Sequence, residues 1–361
     1  MDEPAQLTLK DVASAVGVSS MTVSLALRNH PKIPAERRAL IQGVAQRMGY
    51  RPNAMASALV YQRKNFSNHP ISAELAWLNY WKESRLLRGY KEFDLYWHGA
   101  VQAAEKCGFR LEEFVIGPQL NCSRLEKILQ SRNIQGILIP PHGHAAMACP
   151  KVTDFDWSRY SVVKFGHSLQ DFPAHTVTSN QKQGTMLAFS EIIRKGYQRP
   201  GYVCHRCSST HGKAGFLMAQ TGLISARRLP LLELDVHTSD CLKNLDDWIH
   251  ACRPDAILTE MAEMPAMLNE LDYRVPDDLG LAATSVLDGN ANAGIYQNSE
   301  EVGRVAVETL ISLIYQNQTG LPKFCREILV DTAWRDGGTL PGRERFSDKP
   351  SNTSTRSAAR V

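Results

Sequence analysis

Three groups of residues carry side chains able to do chemistry at short spacing. Cys204-x-x-Cys207, with His205 inside it and His211 just beyond, offers thiolate and imidazole, which are ligands of zinc. His142 and His144, in the run Pro-Pro-His-Gly-His, sit where a strand-end loop would line a cleft. The paired acids Glu112-Glu113 and Asp246-Asp247 are the residue types of general acid/base catalysis. Each group also has a plainer reading. A structural zinc takes four ligands, usually as two separated pairs, and no second C-x-x-C is present. Carboxylates adjacent in sequence suit a solvated face better than an acid/base pair. No G-x-S-x-G, Walker loop or G-x-G-x-x-G occurs. The reading is therefore a protein that is not an enzyme, with no cofactor and no metal. Its thiols are buried or free, and its histidines are loop residues.

A fourth group is spread over the first 65 residues. They carry nine Lys/Arg against four Asp/Glu, so this head is net +5 while the remainder of the 361-residue chain is net −1. A basic head on a near-neutral body is the electrostatic footprint of a nucleic-acid reader joined to something else. The 43% hydrophobic and 22% charged composition excludes wholesale disorder, and the length suits two or three folding units. No run reaches 18 apolar residues, so no membrane span is expected. The opening MDEPAQLTLKDV has acids where a signal peptide needs bases, and eight scattered cysteines fit reduced thiols, so a cytoplasmic protein is expected.

The elements that would position the basic head are short helices. Thr8 caps a first helix with Asp11 at its third position, and Leu9, Val12, Ala13 and Val16 recur at helical spacing. Gly17 stops it. Ser19 caps a second helix, with Val23, Ala26 and Leu27 as its buried face. Helix, glycine-containing turn, helix is a helix-turn-helix, whose second helix lies in the major groove. A third helix is predicted from Pro34 to about Met48, with Ala39, Leu40, Val44 and Met48 as its apolar side and Gly49 as its stop. Asn53 caps a short uncharged helix through Leu59 or Val60, too short to be stable alone. Residues 61–70 read as linker.

VASAVGVSSMTVSLALRN followed by GYRPNAMASAL resembles the DNA-binding head and hinge helix of the LacI/GalR family of bacterial transcription regulators. The resemblance implies an all-α, lambda-repressor-like helix-turn-helix head on a two-lobed α/β body like the periplasmic binding proteins. It places Ser20, Met21 and Leu25 at the base-reading positions. Ser19, Thr22, Ser24, Arg28, Asn29 and Lys32 fall at phosphate positions, which hold register without direct sequence information. Asn53, Ala56 and Leu59 match the hinge, with a leucine from each subunit wedging into the minor groove. Leu25 departs from the family, which usually has a base-reading Arg there. Leucine cannot form the bidentate contact to guanine, and would touch thymine methyl groups or do little.

From residue 71 strands and helices alternate at βαβ spacing, which implies parallel sheets covered on both faces. The predicted organisation is 1–52 DNA-binding head, 53–70 hinge helix and linker, 71–335 two-lobed effector-binding and dimerisation body, and 336–361 flexible tail. Looser likenesses continue along the body, and in the family the chain crosses between lobes more than once. The family binds an effector, often a sugar or a sugar derivative, in a cleft between the lobes. Here the expected polar groups change. Of an Asp-Asn pair near Ser179-Asn180 only Asn180 survives. Gly212, flanked by His211 and Lys213, stands where an Arg is expected. Glu260-Met261-Ala262 replaces an Asn-Asp, and Ser285, with Asp288 close by, replaces an Asp. Either the ligand differs, a more apolar or stacked one using Tyr80, Trp81, Phe165 or Trp248, or small-molecule control is lost; taken alone, each of these aromatics reads as core rather than cleft. The function expected is a dimeric, nucleoid-associated regulator of a palindromic operator, a repressor more often than an activator, with effector binding altering the lobe angle and hence the hinges. The competing readings are a solute-binding protein or sugar-handling enzyme with an incidental helical head, and a constitutive DNA binder without effector.

Overall fold

A computed structural model describes residues 7–27, 30, 32–50, 73–142, 151, 154–169, 171–206 and 210–343. The head comprises α1 (Leu9–Val16), α2 (Ser20–Leu27) and α3 (Ala35–Arg47). The Asp11 carboxylate accepts from both the amide and the hydroxyl of Thr8, at 2.7 Å each, closing the first turn of α1. Those hydrogen bonds hold the Asp11 carboxyl below its ordinary range. Gly17 ends α1 in the left-handed conformation, φ 70°, which costs glycine nothing. Its successor turns into α2, whose first turn is capped by the Ser19 hydroxyl accepting from the Thr22 amide at 3.1 Å.

Val12, Ala13, Val23, Ala26, Ile33, Ile41 and Ala45 form the head core. The predicted stripe of α3 is corrected by this packing. Ile41 and Ala45 are buried, Val44 and Met48 are half-buried, and Ala39 and Leu40 face solvent. Gln42, from the same helix, donates to the Ala26 carbonyl at 2.9 Å and so fastens α3 to the end of α2. The predicted hinge and linker, with Asn53, Ala56 and Leu59, lie outside the described residues.

The chain as a whole divides into two compact units. Residues through Asn180 with Gln297–Thr332 form one, and Gln181–Tyr296 with the segment from Ala333 form the other. The chain leaves the first unit after Asn180, returns after Tyr296 and leaves again after Thr332.

In the first unit the sheet strands are β1 (Ala73–Asn79), β2 (Phe109–Val115), β3 (Gly136–Ile139), β4 (Ser161–Phe165), β5 (His175–Ser179) and β11 (Glu327–Val330). They lie in the order β11-β5-β4-β3-β1-β2, every pair parallel. Between them run α4 (Ser84–Gly89), α5 (Lys91–Lys106) and α6 (Cys122–Ser131), and α11 (Ser299–Tyr315) precedes β11. Leu75, Trp77, Val163 and Val177 pack with α5 and α11, while Ala76, Leu78, Ile137 and Ile139 pack with Leu125 and Leu129 of α6. Burial on both faces explains why the central β3 reads as a continuous apolar run, whereas the edge strands β2 and β11 do not. Helices α5 and α11 meet backbone to backbone at Gly99 and Gly303, where a Cβ would run into the facing carbonyls of Glu300 and Tyr96.

The second unit holds β6 (Pro200–His205), β7 (Leu232–Leu234), β8 (Ala256–Thr259), β9 (Gly280–Ala283), β10 (Gly294–Tyr296) and β12 (Ala333–Arg335). Their order is β12-β10-β9-β8-β6-β7, parallel except for β12 against β10. Its helices are α7 (Gln181–Arg194), α8 (Thr210–Ala219), α9 (Cys241–Cys252) and α10 (Met264–Glu270). The predicted flexible tail begins too early. Leu340 is fully buried with Tyr197, Ala282 and Ile295, and the Arg343 amide donates to the Lys195 carbonyl at 2.8 Å. Packed chain thus continues to Arg343, because one leucine fills a gap beside Gly280 that the polar residues around it gave no sign of.

Candidate nucleic-acid interface and effector residues

In the head, the core takes Val23 and Ala26 from α2 and leaves the other side of that helix outward. Met21 is 69% exposed, and Ser20, Ser24 and Leu25 are half-buried. Leu25 rests against the head core, one helical turn beyond Met21. The candidates Ser19 and Thr22 are joined by a hydroxyl–hydroxyl hydrogen bond of 2.9 Å, and Ser19 also caps the helix, so both are held at its N-terminus. There the helix dipole and amides favour an anion such as phosphate. Lys32 is exposed just before α3. Arg28 and Asn29 lie outside the described residues. Gln42 was not singled out from the sequence; its contribution is to hold α2 rather than to face a ligand.

In the first unit the candidates all sit at the carboxyl ends of parallel strands, where ligands of open α/β sheets bind. Tyr80 and Trp81 follow β1, Phe165 ends β4 and Asn180 follows β5. The aromatic rings are core, as each reads when taken alone, and the alternative of a ligand stacked on them is corrected. Tyr80, Trp81 and Phe165 are 2%, 5% and 0% exposed and belong to the hydrophobic cores. The Trp81 indole N–H donates to the Pro141 carbonyl at 2.8 Å, and Phe165 stacks on Tyr96 with centroids 5.3 Å apart. Trp248, in the second unit, is likewise core, its indole N–H donating to the Pro230 carbonyl at 3.1 Å. Asn180 is half-buried, its amide donating to the Val330 carbonyl at 2.8 Å.

The second unit keeps its polar candidates at the strand ends. Glu260 follows β8 and is half-buried; its Oε1 accepts from the His205 amide at 3.2 Å. Burial pushes its carboxyl up to about 7, opposed by that hydrogen bond and by the charge of Lys213. Lys213, in the first turn of α8, pairs with Glu233 of β7 at 2.7 Å and donates to the Arg206 carbonyl at 3.3 Å. Burial works against its ammonium, but the hydrogen bond to Glu233 and nearby negative charge leave it raised. The His205 ring approaches Glu263 at 3.7 Å. The Asp288 amide donates to the Ser285 hydroxyl at 3.3 Å, a turn after β9 that holds both half-buried. His211 is half-buried in the first turn of α8. At Gly212 an added Cβ would stand 2.6 Å from the Tyr202 hydroxyl. Tyr202 therefore occupies the space in front of the position where an arginine was expected. Tyr202 and Glu233 were not foreseen, since a tyrosine inside a strand and a glutamate in a three-residue strand carry no signal of their own. Cys204 is fully buried, Cys207 and His144 lie outside the described residues, and His142 is buried with its amide donating to Ser168 Oγ at 2.8 Å.

No helix among the described residues is long and apolar enough to cross a membrane. The family model for "Bacterial regulatory proteins, lacI family" matches residues 8–53. The chain is 24% identical over 238 residues to the transcriptional regulator GalR of Escherichia coli K12, spanning 62% of this chain and 62% of that protein. It is 23% identical over 334 residues to the regulator KdgR of Bacillus subtilis 168, spanning 88% of this chain and 93% of that protein. Among solved structures, the lac repressor dimer bound to operator and the anti-inducer ONPF covers 93% of this chain and 99% of its own, with TM-score 0.51 and 16% identity. A complex of the regulator CelR with cellobiose covers 92% and 99%, with TM-score 0.53 and 17% identity. These relatives are named transcriptional regulators, which supports a DNA-binding regulator over an enzyme.

Proposed function

We propose that the chain is a DNA-binding transcriptional regulator of the LacI/GalR type rather than an enzyme, and that it binds a near-palindromic operator as a cytoplasmic, nucleoid-associated homodimer, acting as a repressor; the match of residues 8–53 to the lacI-family model and the likeness to GalR and KdgR support this. Ser20, Met21 and Leu25 face base edges. Ser19, Thr22, Ser24, Arg28, Asn29 and Lys32 hold phosphates, and Asn53, Ala56 and Leu59 enter the minor groove. The outward face of α2, presented by a tightly cored three-helix head, is the observation that carries this reading. The solved relative bound to its operator supports it by likeness of fold.

The effector is a small molecule, a sugar or sugar derivative among the candidates, held by Asn180 in the first unit or by His211, Lys213, Glu260, Ser285 and Asp288 in the second. Its coupling to DNA is reciprocal, typically ~1–3 kcal/mol. The buried rings of Tyr80, Trp81 and Phe165 leave the polar strand ends to make the contacts.

Full-length protein mixed with fragments of its native genome at about 50 mM salt should retain a reproducible subset against competitor DNA, because phosphate contacts strengthen as salt falls. Removing residues 1–65 should abolish the retention. Equal retention without the head, or none with it, overturns the proposal.

A further inference from the structure

The side-chain inventory of α2 is unusual for a helix that reads bases. From Ser20 to Leu27 the sequence is Ser-Met-Thr-Val-Ser-Leu-Ala-Leu. None of these side chains carries an N–H group, and none is charged. The bidentate pairs that read guanine (Arg or Lys to O6 and N7) and adenine (Asn or Gln to N6 and N7) are therefore not available from these eight residues. What the helix does present is apolar. Met21 is 69% exposed, although the core has no use for it, and Leu25 continues the strip one turn on, half-buried against the head core. Ser20 and Ser24 follow the same i, i+4 spacing alongside, and a hydroxyl can serve a base edge as donor or acceptor.

Only one major-groove feature of the four base pairs is apolar, the C5-methyl group of thymine. We propose that α2 reads its half-site through thymine methyls, with the Met21 thioether chain against one methyl and Leu25 beside the next, and with the serines tolerating either polarity. Met21 suits this because an unbranched, polarizable chain adapts to a small apolar target. The inference rests on the DNA-binding reading above and adds to it what the helix recognises. The operator half-site should hold a T·A step under the middle of α2, and guanine should not be specified there.

The test uses full-length protein and synthetic duplexes of the site recovered from genomic selection. Each thymine of the half-site is replaced in turn by uracil, which removes only the methyl group. One or two positions should each lose about three- to five-fold in affinity, the scale of one buried methyl. At those positions 5-methylcytosine·G should bind better than cytosine·G by a similar factor. Met21→Ala, checked for an unchanged thermal melt, should erase the thymine–uracil difference at one position and leave the other. Met21→Gln should move the preference there toward adenine by about five-fold or more, because glutamine supplies the missing bidentate pair. If wild-type protein binds its site but no uracil position costs as much as about 1.5-fold, the methyl readout is overturned while DNA binding stands. If the differences persist unchanged in both Met21→Ala and Leu25→Ala, the residue assignment is overturned. If wild-type protein selects no site at all, the DNA-binding reading itself has failed.

Discussion

The two α/β units share a six-stranded, mostly parallel sheet among their described residues, yet they spend their strand ends differently. In the first unit the residues after β1 and at the end of β4 are Tyr80, Trp81 and Phe165, all sealed into core. In the second, Glu260 after β8 and Ser285 after β9 are half-buried and polar; Glu260 accepts from the His205 amide, Ser285 accepts from the Asp288 amide, and Lys213 in the first turn of α8 pairs with Glu233. Strand ends of open sheets are where ligands bind. The comparison teaches that a sheet can close that edge with aromatic rings and so give up direct chemistry there. The first unit keeps the half-buried Asn180 after β5 as its polar candidate.

The strongest way to break the comparison is Trp81→Ala. A sealed tryptophan should cost ~3–5 kcal/mol of stability, read from denaturant unfolding. A cost under about 1 kcal/mol would mean the ring lies open to ligand, and the contrast between the units would vanish. Gly212→Ala probes the second unit. The new methyl meets the Tyr202 hydroxyl, and overpacking of that kind costs ~1–3 kcal/mol. Better helix propensity returns up to ~1 kcal/mol of it. Combining it with Tyr202→Phe should recover most of the remainder; no recovery would show that Tyr202 does not fill the site.

The smallest effect concerns Glu260. Its folded carboxyl titrates at about 7 against an ordinary 4.5, so the folded state binds the proton more tightly than the unfolded one. Its contribution to stability is complete below pH 4.5 and is lost as pH rises through 7. Glu260→Gln should flatten that part of the stability–pH curve, measured by urea midpoints at half-unit intervals. An unchanged slope would place the carboxyl in water and weaken the case for the second unit as the polar one.

Much of the architecture was legible in the sequence for reasons visible in particular residues. Strands such as Gly136–Ile139 are covered on both faces, so they stand out as apolar runs, and Gly17 and Gly49 mark helix ends through positive φ. The third head helix was misphased because Ala39, Leu40, Ile41, Val44, Ala45 and Met48 spread around most of its circumference. Only packing against Val23 and Ala26 decides that Ile41 and Ala45 go inside. Strands β5, β7, β10, β11 and β12 carry little sequence signal because each is short and contains polar residues or glycine in place of an apolar run, as in His-Thr-Val-Thr-Ser of β5. At the candidate site, the departures at Gly212 and Glu260 could be named from the sequence. That Tyr202 fills the first depends on contacts between residues far apart in the chain.

The threefold passage of the chain between its two units bears on how the protein is made. Synthesis delivers segments from the amino end, so the three head helices emerge before any strand of either sheet. Neither sheet can close at that stage. The first waits for α11, whose Gly303 nests against α5, and for the edge strand β11; the second waits for β12 and Leu340. A ribosome that stalled after Tyr296 would release a finished DNA-reading head on two unfinished bodies, and quality control would meet both defects in the same molecule.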